Sequence, residues 1–188
     1  MKLLINEDNL SANDINDFSV KVRAILIDEN NQILIANYGN VILLPGGKVD
    51  NGETNELAIM RELYEELGQV YTNNELNYFG TLDYYQKNYP KRDGTFENRL
   101  VQTHYFICEY KGVDLSIQRL TKKEKKDGFK LELVSLNDLE KIILENENDN
   151  PRNKYFQKEL LTILETYENY RKQEVVKKLK LQLKNPNN

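Results

Sequence analysis

The chain has a single cysteine, Cys108, which excludes an intramolecular disulfide framework and fits a reducing compartment, so the cytoplasm is the expected location. A long apolar run is also missing. No stretch approaches the roughly 20 apolar residues of a membrane span, and the N-terminus, MKLLINEDNL, meets acidic residues before any segment of signal-peptide length. A membrane is therefore not expected as a partner. Charge of one sign is scarce too: 26 basic and 30 acidic residues are interspersed for a net charge of −4, which offers no surface for bulk nucleic acid. There is no internal repeat. The 188 residues, 39% of them hydrophobic, suffice for the core of one domain with decorations.

Residues 19–28 (SVKVRAILID) and 32–38 (QILIANY) are rich in β-branched and aliphatic residues around Glu29-Asn30-Asn31, which predicts a β-hairpin. A short strand at 41–44 is stopped by Pro45-Gly46-Gly47. After a polar loop, a helix is expected from an N-cap at Thr54 through ELAIMRELYEEL to Gly68, which suits the left-handed position beyond a helix end. Residues 75–86 and 98–110 read as strands around the polar segment KNYPKRDGTFE, a loop placed to cover a site. The segment 121–128 (TKKEKKDG) reads as a charged loop, 129–135 as a strand, and 137–145 as a short helix capped near Ser135 or Asn137. ENENDNP reads as a linker to a long helix at about 152–183, whose Phe156, Leu160, Leu164 and Tyr167 recur at three or four residues, as one buried face requires. The order predicts a mixed α/β fold, with 1–150 as the domain and 151–188 as a helical extension packed on it.

At about 100° per residue, Glu62, Glu65 and Glu66 fall within one arc of the first helix, with Leu57, Met60, Leu63, Tyr64 and Leu67 opposite. Like charges at i and i+4 repel by about 0.2–0.5 kcal/mol even on an exposed face. A divalent cation would reverse that sign, and a carboxylate site free of Cys and His selects a hard ion, Mg²⁺ or Mn²⁺. Spacing alone fits an ordinary solvated acidic face as well.

The surrounding pattern is more specific. Residues 47–69, GKVDNGETNELAIMRELYEELGQ, resemble the Nudix box: Gly47, Glu53, Arg61, Glu62, Leu63, Glu65, Glu66 and Gly68 stand where that family's motif places Gly, Glu, Arg-Glu-aliphatic, Glu-Glu and Gly. Seven single-residue matches coincide by chance on the order of once in 10⁸ windows at average residue usage. Gln69 departs from the pattern at its last, aliphatic place, a structural position. The resemblance implies an α/β/α sandwich around a mixed β-sheet, and a Mg²⁺-dependent pyrophosphohydrolase, Mn²⁺ serving as substitute. The expected substrate is a small nucleotide: a nucleoside triphosphate, dinucleoside polyphosphate, nucleotide sugar or ADP-ribose.

It further implies that Glu62, Glu65 and Glu66 hold the metal, Glu66 foremost, joined by the Gly47 carbonyl. Glu53 and Arg61 would be a structural pair and Gly68 a structural stop. Gly46 and Gly52 allow the loop its shape, as turn glycines do without any functional role. Pyrophosphate cleavage is mostly positioning and charge neutralisation by metal ions, and water needs a base, for which Glu62, Glu97 and Glu124 stay open. Tyr84, Tyr85 and Tyr89 either stack on a base or pack; Tyr85 is singled out because some dinucleoside-polyphosphate members carry a tyrosine past the box. His104 and Cys108, in the strand HYFIC, read as packed side chains. The basic tail, residues 170–188, suits an acidic partner or a second copy in a homodimer, or a frayed, solvated helix end. A Nudix-fold module that binds a nucleotide without turnover is the alternative function, disfavoured by the intact carboxylates.

Overall fold

A computed structural model describes residues 1–91 and 93–184. Residue 92 and residues 185–188 lie outside the described residues; the loop expected at 87–97 is shorter than that, because the flanking strands stay paired out to Pro90 and Phe96. The chain forms β1 (Lys2–Ile5), β2 (Asp17–Ile27), β3 (Gln32–Tyr38), β4 (Val41–Leu43), α1 (Asn55–Leu67), β5 (Asn77–Pro90), β6 (Phe96–Glu109), α2 (Lys122–Lys126), β7 (Lys130–Ser135), α3 (Leu139–Glu145) and α4 (Asn153–Lys184). The strands join in one mixed sheet, β1-β5-β6-β2-β3-β4, with β7 also paired to β3. β2 runs parallel to β6 along its whole length but meets antiparallel β3 only at Ile27 and Ile33.

That early parting of β2 and β3 shapes the molecule. Into the gap fits the segment after β4: Ala24 N donates to Pro45 O at 2.9 Å, Val22 N to Gly47 O at 2.9 Å, and Val49 N to Val20 O at 3.0 Å. The glycine-bearing loop is thereby held as a surrogate strand on the edge of β2. At the hairpin itself, Asp28 Oδ1 accepts from Asn30 N and Gln32 N, and Asn31 takes φ 61°.

Alternation along β2 sends Val22, Ala24 and Leu26 into a core layer beneath α1, with Leu34, Ile59, Leu63, Leu67 and Phe106. Ile25 faces the other way, into a layer with Ile33, Ile35, Leu82 and Tyr105 beneath α3 and α4. Of the expected face of α4, Leu160, Leu164 and Tyr167 are buried, with Ile163 beside them, whereas Phe156 is only partly buried and faces a cleft. Beyond Tyr167 the described side chains of α4 lose that burial.

α1 follows its end signals. Thr54 Oγ1 accepts from Leu57 N at 3.2 Å, and Gly68 takes φ 70° while its N–H donates to Tyr64 O. Two expectations are corrected. The segment 121–128 is not a loop throughout, because Thr121 and Glu124 form a capping box that starts α2. Leu57 does not join the apolar back of α1, since position 57 lies in the first turn and is 53% exposed. β1 went unforeseen: it pairs in parallel with β5, from Lys2 beside Thr81 to Ile5 beside Tyr84, and so depends on a partner 79 residues away. Among the described residues, no helix is long and apolar enough to cross a membrane.

Candidate active site

A cleft of about 410 Å³ opens between the glycine loop, α1, the end of β3, α2 and the start of α4. Of Glu62, Glu65 and Glu66 on α1, two face it. Glu62 and Glu66 are buried, 9% and 5% exposed, so the expected solvent-facing acidic front is corrected: the glycine loop and β2 cover it. Gly46 N donates to Glu66 Oε2 at 2.8 Å, and Glu62 lies so close to Gly47 that a Cβ there would collide with its carboxylate. Burial pushes the Glu66 carboxyl up to about 8, with Arg23 opposing the shift and Glu62 adding to it. Burial also raises Glu62, against the pull of Arg61.

Glu65 is drawn elsewhere. Arg61 Nη1 donates to Glu62 Oε1 at 2.8 Å and to Glu65 Oε2 at 3.3 Å, and Glu65 does not line the cleft. The same guanidinium grips Glu53 through Nε to Oε1 at 3.0 Å and Nη2 to Oε2 at 2.9 Å, and reaches Lys48 O at 3.0 Å. This fork fixes the loop to α1. It also holds the Glu53 carboxyl below the usual range. Gly52 takes φ 81°, a conformation glycine adopts without strain.

The Gly47 carbonyl accepts from Val22 N, whereas the Gly46 carbonyl accepts from Arg23 Nη1, which also holds Leu44 O at 2.8 Å. Among the described residues no three His, Cys, Asp or Glu side chains converge at metal-binding separation. The donor chemistry nevertheless fits a hard cation: Glu62, Glu66 and Glu124 line one cleft as oxygen donors, with no His or Cys lining it. The raised carboxyls are groups whose charge a cation would offset.

Glu124 stands across the cleft on α2, where its Oε2 also accepts from Thr121 N at 2.7 Å. Glu97 does not reach the cleft; it lies on β6 rather than in a loop, and its carboxylate meets Lys91 Nζ at 3.4 Å. Tyr85 also lies away from the carboxylates, in a groove with Glu7, Asp8 and Lys154, while Tyr89 lines the cleft. Cys108 is buried with its thiol pushed up to about 12 by desolvation, whereas His104 is half-buried, its Nδ1 3.2 Å from Thr81 Oγ1, and neither lines the cleft.

Sequence reasoning missed the cationic wall. Lys21 and Arg23 project from β2 into the cleft, facing Arg152 and Phe156 from the start of α4. The signal was available: two cations at i and i+2 in an apolar strand occupy one face. Lys21 Nζ lies 5.8 Å from the Phe156 ring centroid, and desolvation pushes its ammonium down to about 8, partly countered by Glu159.

The NUDIX domain family model matches residues 17–159, so the chain belongs to that family. It is 38% identical over 84 residues to an 8-oxo-dGTP diphosphatase of Escherichia coli K12, covering 42% of this chain. To that of Haemophilus influenzae it is 33% identical over 100 residues, covering 53% of this chain. In each case the match spans 61% of the relative's length. The fold is shared with the MutT protein of Methanosarcina mazei, at a TM-score of 0.50 and 19% identity over 82% of this chain and 96% of that one.

Proposed function

We propose that this protein hydrolyses a phosphoanhydride bond in a nucleoside diphosphate linked to a further group, with Mg²⁺ as the natural cation and Mn²⁺ as its substitute. The observation that carries this reading is the placement of Glu62 and Glu66 in one cleft, against the Gly46-Gly47 backbone and opposite Glu124. Glu62 and Glu66 would hold the cation, which supplies charge neutralisation to the phosphate oxygens. Glu65, tied to Arg61, acts by keeping that guanidinium in place. Glu124 is the carboxylate best placed to take a proton from water, because it borders the same cleft without belonging to α1.

Among the substrate classes, a nucleoside triphosphate is favoured. The relatives from E. coli and H. influenzae are 8-oxo-dGTP diphosphatases, and a cleft of about 410 Å³ accommodates one nucleotide more readily than two linked ones. The test is incubation of the purified protein and its Glu66→Gln variant with Mg²⁺ and a panel of nucleoside triphosphates, dinucleoside polyphosphates, nucleotide sugars and ADP-ribose. Released phosphate is followed directly and after added phosphatase. Metal-dependent cleavage that disappears in the variant supports the assignment. Silence across the panel with retained nucleotide binding would replace it with a sensing module.

A further inference from the structure

Tyr170 of α4 still meets the Phe79 ring, at 5.5 Å between centroids. Past it the helix runs on from Arg171 to Lys184, roughly 20 Å at 1.5 Å per residue, and among the described residues neither core cluster includes a side chain of that stretch. Most of a helix's stability in water comes from packing an amphipathic face, and this overhang packs on nothing in its own core. Its charge is one-sided. Residues 171–180 hold Arg171, Lys172, Lys177, Lys178 and Lys180 against Glu174 alone, whereas residues 159–170 hold Glu159, Glu165 and Glu168 and no cation. The helix therefore reverses its charge between Glu168 and Arg171.

A groove of about 450 Å³ lies where α3 meets α4, just before that reversal, lined by Glu140 of α3 and by Leu161, Leu164, Glu165 and Glu168 of α4. At about 100° per residue, Leu161, Glu165 and Glu168 share an arc of about 100° with Lys172, Val175 and Val176, so groove and overhang form one continuous stripe. Val175 and Val176 are exposed. Among the described residues Glu140, Glu165, Glu168 and Lys172 have no ion pair within 4.0 Å, although Glu168 and Lys172 stand at i and i+4. The same angular count puts Arg152 and Phe156, which line the cleft, on the opposite side of α4. Whatever covers the stripe leaves the cleft open.

The stripe is complementary to itself. Laid antiparallel on a second copy about a two-fold axis near position 170, it sets Glu168 of each copy across from Lys172 of the other, and Leu164 across from Val176. Glu140 then lies along the path of the other copy's basic end. Parallel pairing would set like charges together, whereas the two-fold arrangement makes each favourable contact twice. We propose that the groove between α3 and α4 and the basic end of α4 form the interface of an antiparallel homodimer of this chain, with Glu168 and Lys172 as its reciprocal charge pair. This pairing does not rest on the reading of the cleft. A narrow apolar strip with a charged rim makes a modest interface that salt weakens.

Sedimentation velocity of the full chain reads the association. Between about 1 and 100 μM, in about 50 mM NaCl, a monomer–dimer equilibrium is expected, and about 0.5 M NaCl should raise its dissociation constant at least about tenfold. Glu168→Lys and Lys172→Glu each place like charges across the axis and should sediment as monomers. Mixed in equal amounts they should regain the dimer, because the lysines of one chain then face the glutamates of the other. An effect confined to the i,i+4 pair within one helix would not be rescued by mixing. A monomer at every concentration, a dimer untouched by both variants, or no dimer in the mixture would overturn the inference. Pelleting of a monomeric protein with phosphatidylserine vesicles would assign the basic end of α4 to an anionic lipid surface instead.

Discussion

Gly46 and Glu66, twenty residues apart, are joined by a 2.8 Å hydrogen bond from the glycine amide to Oε2. This bond ties the loop after β4 to the carboxylate most deeply set in the cleft. The loop's shape and the position of that carboxylate are therefore one structural fact.

Glu66→Gln is expected to abolish metal-dependent turnover while leaving the fold intact, because the amide oxygen still accepts from Gly46 N. The pH response gives a second readout. The folded carboxyl is raised to about 8 from an ordinary value of 4.5, so between those values the folded state retains a proton the unfolded state has released. Stability in chelator is thus fullest below about pH 4.5 and declines as pH rises through 8. Thermal unfolding in EDTA should show this decline in the native protein and a weaker one in Glu66→Gln. Added Mg²⁺ should stabilise the native protein more at pH 8 than at pH 6, since the cation competes with that proton.

Gly46→Ala and Gly47→Ala should separate folding from activity. A Cβ on Gly46 meets the Val22 backbone at a φ of 126°, which no side-chain shift relieves, and destabilisation of about 1–3 kcal/mol is expected. The atoms nearest a Cβ on Gly47 are the carboxylate end of the Glu62 side chain, which can swing away. Activity should then fall at least about tenfold with little change in Tm. Denaturant titration beside kcat/KM distinguishes the two, and an active Gly47→Ala protein would remove Glu62 from the site.

Glu124→Gln and Glu97→Gln test the base. Loss of kcat by about a hundredfold or more is expected for the first and none for the second, since only Glu124 borders the cleft. The reverse result would move the base to the β5–β6 hairpin.

Arg61→Lys should weaken both fold and activity. Lysine cannot reproduce the two-pronged grip on Glu53 while also holding Lys48 O and Glu62. A loss of about 1–3 kcal/mol in denaturant unfolding is expected, with kcat reduced because the loop carrying Gly46 and Gly47 is released.

Much of this protein was determined by the sequence alone. Thr54 and Gly68 mark the ends of α1 because caps are local, and the strand at 32–38 has its expected bounds because alternation and the Asp28 turn are local too. The spacing of Glu53, Arg61 and the α1 carboxylates is carried by one continuous segment, so the family was legible there. α2 was misread because six charged residues in eight outweighed a capping box of Thr121 and Glu124. Only the tertiary structure decided which carboxylates share the cleft: Arg61 draws Glu65 aside, and the loop seated on β2 buries Glu66. It alone also brought Lys21 and Phe156 together across 135 residues and left Tyr85 and Glu97 outside. Local chain geometry fixes caps and periodicity, whereas burial and charge balance depend on contacts between segments that the sequence does not place side by side.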